Sequence, residues 1–273
     1  MLEKTFDRAL SHSFNRRKFF FTFPTIAACG LLIIFCKILS MGSGDWVTLS
    51  LTFLPIFLSS GFLLATGVVL TRVYYHEIKG TSFSFRKVLK RSWQMLMNIS
   101  YLALPLLLAY LLLWTFMGVF YLLRELPGIG DIIGIVLAFG PFLLVLGALI
   151  LGFFNLIVLF FVTPEAALKT GVKLKLAEAV YLRLKKNIFS NTIMLIVGMI
   201  PLVICMGILY LAAHITGGSF FQDSTPLSLT FQWFFVMLPF CALLTPFVIF
   251  FFNFATECFI YSSKKAEEKA TPS

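Results

Sequence analysis

The sequence predicts an all-α membrane protein: six transmembrane helices arranged as three helical hairpins, each preceded by an amphipathic helix on the cytoplasmic face. Three observations predict it. Hydrophobic residues make up 59% of the chain and charged residues only 12%, about half of the roughly 25% charge that a soluble domain carries. Apolar runs begin near Phe19, Trp46, Tyr101, Ile132, Asn191 and Leu227. Each reaches the roughly 20 residues a helix needs to cross a hydrocarbon core about 30 Å thick. The basic residues gather between alternate runs.

The runs place spans at about 19–41, 46–71, 100–123, 131–163, 190–213 and 227–262. None alternates polar and apolar residues as a membrane barrel strand does. In lipid each backbone group must be satisfied within its own segment, so each run reads as a helix. The fourth and sixth exceed one bilayer thickness and must tilt, kink or project beyond it. The first follows eighteen residues, and its apolar stretch continues through "GLLIIFCKIL" past Cys29, so it is expected to stay as a span rather than be cleaved as a signal. The chain reads as one polytopic domain, 1–273, ending in a short polar cytoplasmic tail, 263–273.

The charges sort by side. Lys4, Arg8, Arg16, Arg17 and Lys18 precede the first span; Arg72, Lys79, Arg86, Lys87, Lys90 and Arg91 follow the second. Lys169, Lys173, Lys175, Arg183, Lys185 and Lys186 follow the fourth; Lys264, Lys265 and Lys269 follow the sixth. Of the 22 basic residues, only Lys37, within a span, and Arg124 lie elsewhere. Cationic loops stay in the cytoplasm, so both termini are expected there, in the cytoplasmic (inner) membrane. Lys37, near the outer end of its span, is expected to snorkel. The net charge of +10 is therefore read as topology and attraction to anionic head groups, not as a nucleic-acid signal.

An internal repeat organises the rest. In "FSFRKVLKRSWQ", Phe85, Val88, Leu89, Trp93 and Leu96 form one helical stripe, and Arg86, Lys87, Lys90 and Arg91 take the other face. This pattern suits a helix lying in the membrane interface, with Trp93 among its lipid-surface contacts. It occurs again at Phe6, Ala9, Leu10 and Phe14, and at Leu176, Ala179, Val180 and Leu184. The spans that follow carry Pro24, Pro105 and Pro201 in the first helix of each unit and Pro55, Pro141 and Pro239 in the second. Asn155 and Asn253 each lie fourteen residues after their proline. The copies cover about 3–79, 80–170 and 171–265.

The stretches "VTPEAALKTG" and "FRKVLKRSW" resemble the repeats of a loose group of bacterial multi-span proteins related to the membrane domain of some glycerophosphodiester phosphodiesterases. The resemblance covers roughly residues 70–190. It implies a fold and a location rather than a reaction, since no phosphodiesterase domain is present.

Candidate chemistry is sparse. His12, His76 and His214 lie far apart in the sequence, whereas a metal site or nucleophile–base pair needs them grouped. The cysteines Cys29, Cys36, Cys205, Cys241 and Cys258 all fall in spans and form no CxxC, so neither a metal site nor a disulfide framework is expected. "GSGD" at Gly42–Asp45 matches the GxGD of intramembrane aspartyl proteases, but the partner aspartate of that mechanism is missing, and a short outer turn accounts for it. "EAALKTG" (Glu165, Ala166, Ala167 through Gly171) resembles the cytoplasmic loop with which ABC-importer permeases dock on their ATPase, although the I-x-L-P that follows in those proteins is absent here. Asn155, Asn253, Thr256 and Glu257 are polar residues within spans, a costly placement that often marks function. They read either as a polar pocket between the second and third hairpins or as hydrogen-bonded glue. The expected function is thus a non-enzymatic integral membrane protein that organises lipid or a partner protein. The alternative is a permease subunit using the Glu165–Gly171 loop. No cofactor is expected; the expected partners are anionic lipid head groups.

The charge distribution yields a direct test of topology. Reporter domains fused after Gly44, Gly128 and Gly217 should read as external, and fusions at either terminus as cytoplasmic. A C-terminus found outside overturns the orientation.

Overall fold

The computed structural model describes residues 2–81, 101–124, 139–168, 188–220 and 226–270, with single positions at 88, 128, 134–135 and 185. The described elements are helical throughout. They are α1 (Leu2–Ser11), α2 (Arg16–Ser40), α3 (Asp45–Ile78), a 3₁₀ turn (Tyr101–Ala103) entering α4 (Leu104–Arg124), α5 (Gly140–Ile157), a π-helical segment (Val158–Val162), α6 (Thr163–Leu168), α7 (Ile188–Phe220) and α8 (Pro226–Ala270). Six stretches are long and apolar enough to cross a membrane: Arg16–Ser40, Asp45–Ile78, Tyr101–Leu123, Gly140–Leu168, Ile188–Thr216 and Ser228–Ser263.

Two boundaries differ from the sequence expectation. The second span continues past Thr71 to Ile78, because the "RVYYHEI" that follows the apolar run turns Arg72, Tyr74 and Glu77 toward other helices rather than toward water. The fourth span runs on through the π-helical segment into α6 as far as Leu168. The π turn lies just before Pro164, whose ring removes the N–H that the Phe160 carbonyl uses in α register. The repeated prolines also divide. Pro24, Pro55, Pro201 and Pro239 lie inside helices. Pro105 and Pro141 occupy first turns, where a missing N–H costs nothing.

α2 and α3 are joined by the turn Met41–Gly44, in which Gly42 takes a left-handed φ of 77° that a side chain would resist. α2 is packed between α3 and α8. The Cys241 thiol lies 3.6 Å from the Ile26 carbonyl, and a Cβ on Gly30 would meet Met237 at 2.7 Å. The Lys37 ammonium, expected to snorkel, sits 4.0 Å above the Trp233 ring, a cation–π contact. Against its other neighbour, α3 stacks Phe57 on Tyr110 of α4 at 4.7 Å. The Tyr110 hydroxyl bonds the Ser50 carbonyl, one residue from the Leu51 carbonyl that Pro55 deprives of its donor. Trp46 lies beside Gly118, with Trp114 and Tyr121 stacked near it.

The core concentrates at the end of the bundle where α1 sits. There Ile249, Phe250, Phe252, Phe254 and Ala255 of α8 are sealed among Phe160, Val68, Val69 and Leu70. Gly67 and Gly198 make room for these rings: a Cβ on Gly67 would strike the Phe252 ring, and one on Gly198 would lie 2.9 Å from Phe254 and 3.0 Å from Phe160. The outward sides of α4, α5 and α7 expose large apolar residues such as Leu112, Phe116, Phe153 and Ile208, which is what a lipid solvent permits.

α1 departs from the interfacial helix expected of it. Ala9 is fully buried, and Phe6 packs edge-on against Phe250 at 4.9 Å and Phe254 at 6.2 Å. Its apolar stripe thus faces α8 instead of lipid, except for Phe14, which is exposed. Of the second amphipathic stretch, Val88 is helical and packs against the core. Arg86, Lys87, Lys90, Arg91 and Trp93 lie outside the described residues, as do Leu176, Ala179, Val180 and Leu184.

Close packing at Gly67 is open to experiment. Gly67→Leu should destabilise the protein by about 1–3 kcal/mol through overpacking, read as a lowered melting temperature in detergent. Gly152→Leu, at a position with nothing within 4 Å, should not. Equal melting temperatures for the two variants would show that the Phe252 contact is not tight.

Candidate functional site

A group of inward-facing polar side chains forms one layer beneath α1. It begins at the turn between α1 and α2. The Ser13 hydroxyl donates back to the Ala9 carbonyl at 2.6 Å, closing the end of α1. Asn15 then caps α2, its side-chain oxygen accepting from the Arg17 amide at 3.0 Å, the bond an N-cap residue supplies. The same side chain donates through Nδ2 to Glu77 Oε1 at 3.0 Å, so a local cap also fastens α2 to α3.

One turn into α2, Lys18 has no exposed surface. Its ammonium meets Glu77 Oε2 at 2.5 Å, donates to the His12 carbonyl at 3.4 Å and lies 4.8 Å from the centre of the Tyr74 ring. The His12 carbonyl belongs to the C-terminal end of α1, where a cation complements the free carbonyls. His12 Nδ1 stands 3.9 Å from Glu77, and its ring meets Tyr74 edge-on.

Tyr74 joins this group to a second one. Its hydroxyl donates to Glu257 Oε1 of α8 at 2.9 Å, and Arg8 of α1 approaches the same oxygen at 3.5 Å. Four residues back, on the same face of α8, Asn253 donates to the Ala9 carbonyl at 3.3 Å and the Ser13 hydroxyl at 3.4 Å. Thr256 Oγ1 donates to the Phe252 carbonyl at 2.7 Å and lies 3.1 Å from Thr71 Oγ1. Arg72 of α3 donates to the Ala167 carbonyl of α6 at 3.0 Å. The carboxylates Glu77 and Glu257 and the cations Arg8 and Lys18 therefore share one layer with four hydroxyls (Ser13, Thr71, Tyr74 and Thr256) and the amides of Asn15 and Asn253, drawn from α1, α2, the turn between them, α3 and α8.

Of the residues expected to form an intramembrane polar site, Asn253, Thr256 and Glu257 are buried and meet in this layer. Their partners come from α1 and α3, so the expected pocket between the second and third hairpins is replaced by a layer between the last span and the first unit. Asn155 is also buried, but it lies on α5, and its Oδ1 has no hydrogen-bond partner among the described residues. Glu165, Ala166 and Ala167 are buried in α6. A loop that docks on a partner must present such side chains, and these three are turned into the protein. Gly171 lies outside the described residues.

Sequence reasoning did not single out Tyr74 or Glu77, and it grouped Arg8 and Lys18 with the lipid-facing cations. Two signals bear on them. Asn15 stands as an N-cap three residues before the lysine that opens the first apolar run, and Tyr74 and Glu77 are spaced i, i+3 beyond the point where the second run ends. The histidines remain apart: His76 Nδ1 lies 3.0 Å from Thr81 Oγ1, and His214 stacks on Tyr210. No group of three or more His, Cys, Asp or Glu side chains suited to a metal occurs among the described residues. The five cysteines are buried and unpaired with one another.

Six apolar membrane-length helices around an internal polar layer define a polytopic α-helical integral membrane protein. Comparison with protein-family models, curated sequences and solved structures gives no match for this chain.

The layer's central ion pair can be tested by breaking it from one side. Lys18→Met leaves Glu77, only 13% exposed, without its counter-charge and should cost about 3 kcal/mol, whereas Lys18→Met with Glu77→Leu should recover most of that loss. Thermal unfolding of the purified protein reads both. A double variant as unstable as the single one would remove the pair from its central place.

Proposed function

We propose that the protein is a non-enzymatic organiser of anionic lipid in a cytoplasmic membrane, with both termini on the cytoplasmic side. The observation that carries this reading is how Glu77 and Glu257 are used. Each is held by a cation and a neutral donor within the polar layer, so their charge serves to fasten α1 and the start of α2 to the bundle. What the molecule offers its surroundings is apolar helix faces and a basic end, which suit lipid tails and anionic head groups. The resemblance of "VTPEAALKTG" and "FRKVLKRSW" to the bacterial multi-span group supports the same kind of fold and place. The competing permease reading rests on the Glu165–Gly171 motif, and the burial of Glu165, Ala166 and Ala167 weighs against it.

The cations Arg86, Lys87, Lys90 and Arg91 supply the experiment. Nanodiscs containing phosphatidylglycerol should raise the protein's melting temperature above that in phosphatidylcholine nanodiscs, and salt should reduce the difference as screening sets in. Changing all four cations to Gln should remove most of it, at about 1 kcal/mol for each cation near an anionic leaflet. A melting temperature indifferent to lipid charge, or co-purification of a stoichiometric ATP-hydrolysing subunit, overturns the proposal.

A further inference from the structure

A groove of about 390 Å³ opens on the flank of the bundle where α2 crosses α8, lined by Phe14, Arg16, Phe19, Phe20 and Pro246. Its walls are apolar except for one guanidinium. Phe14 and Phe20 are 66% and 72% exposed, and they border the groove with Phe19, which is braced by stacking on Phe23. On the far wall, Pro246 lies inside α8 and cannot supply the N–H that the Ala242 carbonyl uses in a regular helix. Arg16 is the first residue of α2, where the membrane-spanning stretch Arg16–Ser40 begins. It is exposed, and its guanidinium makes no hydrogen bond or ion pair with another described residue. Its neighbours differ: Lys18 is spent on Glu77, and Arg17, though exposed, does not line the groove.

We propose that this groove holds one anionic phospholipid of the inner leaflet, its phosphate on Arg16 and an acyl chain along Phe19, Phe20 and Pro246. The occupant follows from the two chemistries side by side. A guanidinium fork matches phosphate oxygens in two parallel hydrogen bonds, and rings next to it gain only from an apolar tail. A free phosphate would leave the rings wet, and an uncharged lipid would leave the guanidinium unanswered. Position agrees, because a head group and the start of its chain meet at the level where a span's first cation gives way to its first apolar turn. The site deepens the lipid-organising function proposed above and rests on it, but it uses residues independent of the 86–93 stretch.

The test uses the full-length protein in detergent, titrated with phosphatidylglycerol or with phosphatidylcholine of the same chains, and counts bound lipid by native mass spectrometry. The wild type should retain one phosphatidylglycerol in preference to phosphatidylcholine. Arg16→Gln should weaken that first adduct about fivefold, the effect of one cation on an anionic head group. Arg17→Gln, the same change in net charge outside the groove, should alter it less than twofold. Phe20→Ala should weaken lipids of both charges and leave their ratio unchanged. Equal losses in Arg16→Gln and Arg17→Gln would overturn the groove while leaving a diffuse basic surface, and with it the broader lipid reading, intact. Equal retention of the two lipids by the wild type would overturn the groove whatever the outcome of the nanodisc experiment.

Discussion

A lysine ammonium with no exposed surface is tolerable only when other groups replace its water, and the end of this bundle is built around meeting that demand at Lys18. The replacements are three groups: a carboxylate of α3, a carbonyl at the end of α1 and the face of Tyr74, also on α3. Removing α1 would expose Lys18 and withdraw a ligand from it; removing the last turns of α3 would leave it unpaired. The same Tyr74 carries the constraint across to α8 by donating to Glu257, which in turn receives Arg8 from α1. The N-terminal helix is thus held through its C-terminal half, by Arg8 on Glu257 and by Ala9 and Ser13 on Asn253.

Electrostatics of this kind contributes position more than net stability. A buried ion pair recovers by attraction about what desolvation costs, and hydrogen bonds between membrane helices average about 0.6 kcal/mol. The favourable packing comes from the rings directly beneath, where Phe250, Phe252 and Phe254 interlock with Phe160 and with the faces of α3 and α7 opened by Gly67 and Gly198. Van der Waals contact is the main attraction available between helices in lipid, and small residues are what let backbones and rings approach. The polar layer selects which faces meet, and the phenylalanines make the meeting tight.

This division bears on function. Polar residues in spans often mark a transport path or a reaction, and here Glu77 and Glu257 have local partners that account for them. The outward-facing features differ in character: broad apolar sides on α4, α5 and α7, and a basic end where Arg16 and Arg17 stay exposed while Lys18 is drawn inside. A surface of that composition suits lipid tails and anionic head groups, the chemistry on which the proposed function rests.

Much of the architecture was legible in the residues themselves. Span number, and most boundaries to within a few residues, follow from apolar length, because lipid allows no other way to satisfy a backbone. The polarity of Asn253, Thr256 and Glu257 marked them as inward-facing for the same reason. What the residues could not declare is who meets whom. α1 reads as an interfacial amphipath because its stripe of Phe6, Ala9 and Leu10 is equally suited to lipid and to the flank of α8. Arg8 and Lys18 read as surface cations because their partners, Glu257 and Glu77, lie some 250 and 60 residues away in sequence. The same holds for Glu165, whose exposure depends on whether the span before it stops near Thr163 or continues through α6 to Leu168. Hydropathy records each segment's solvent preference, one segment at a time. The choice between lipid and a neighbouring helix as that solvent is made only when the helices assemble.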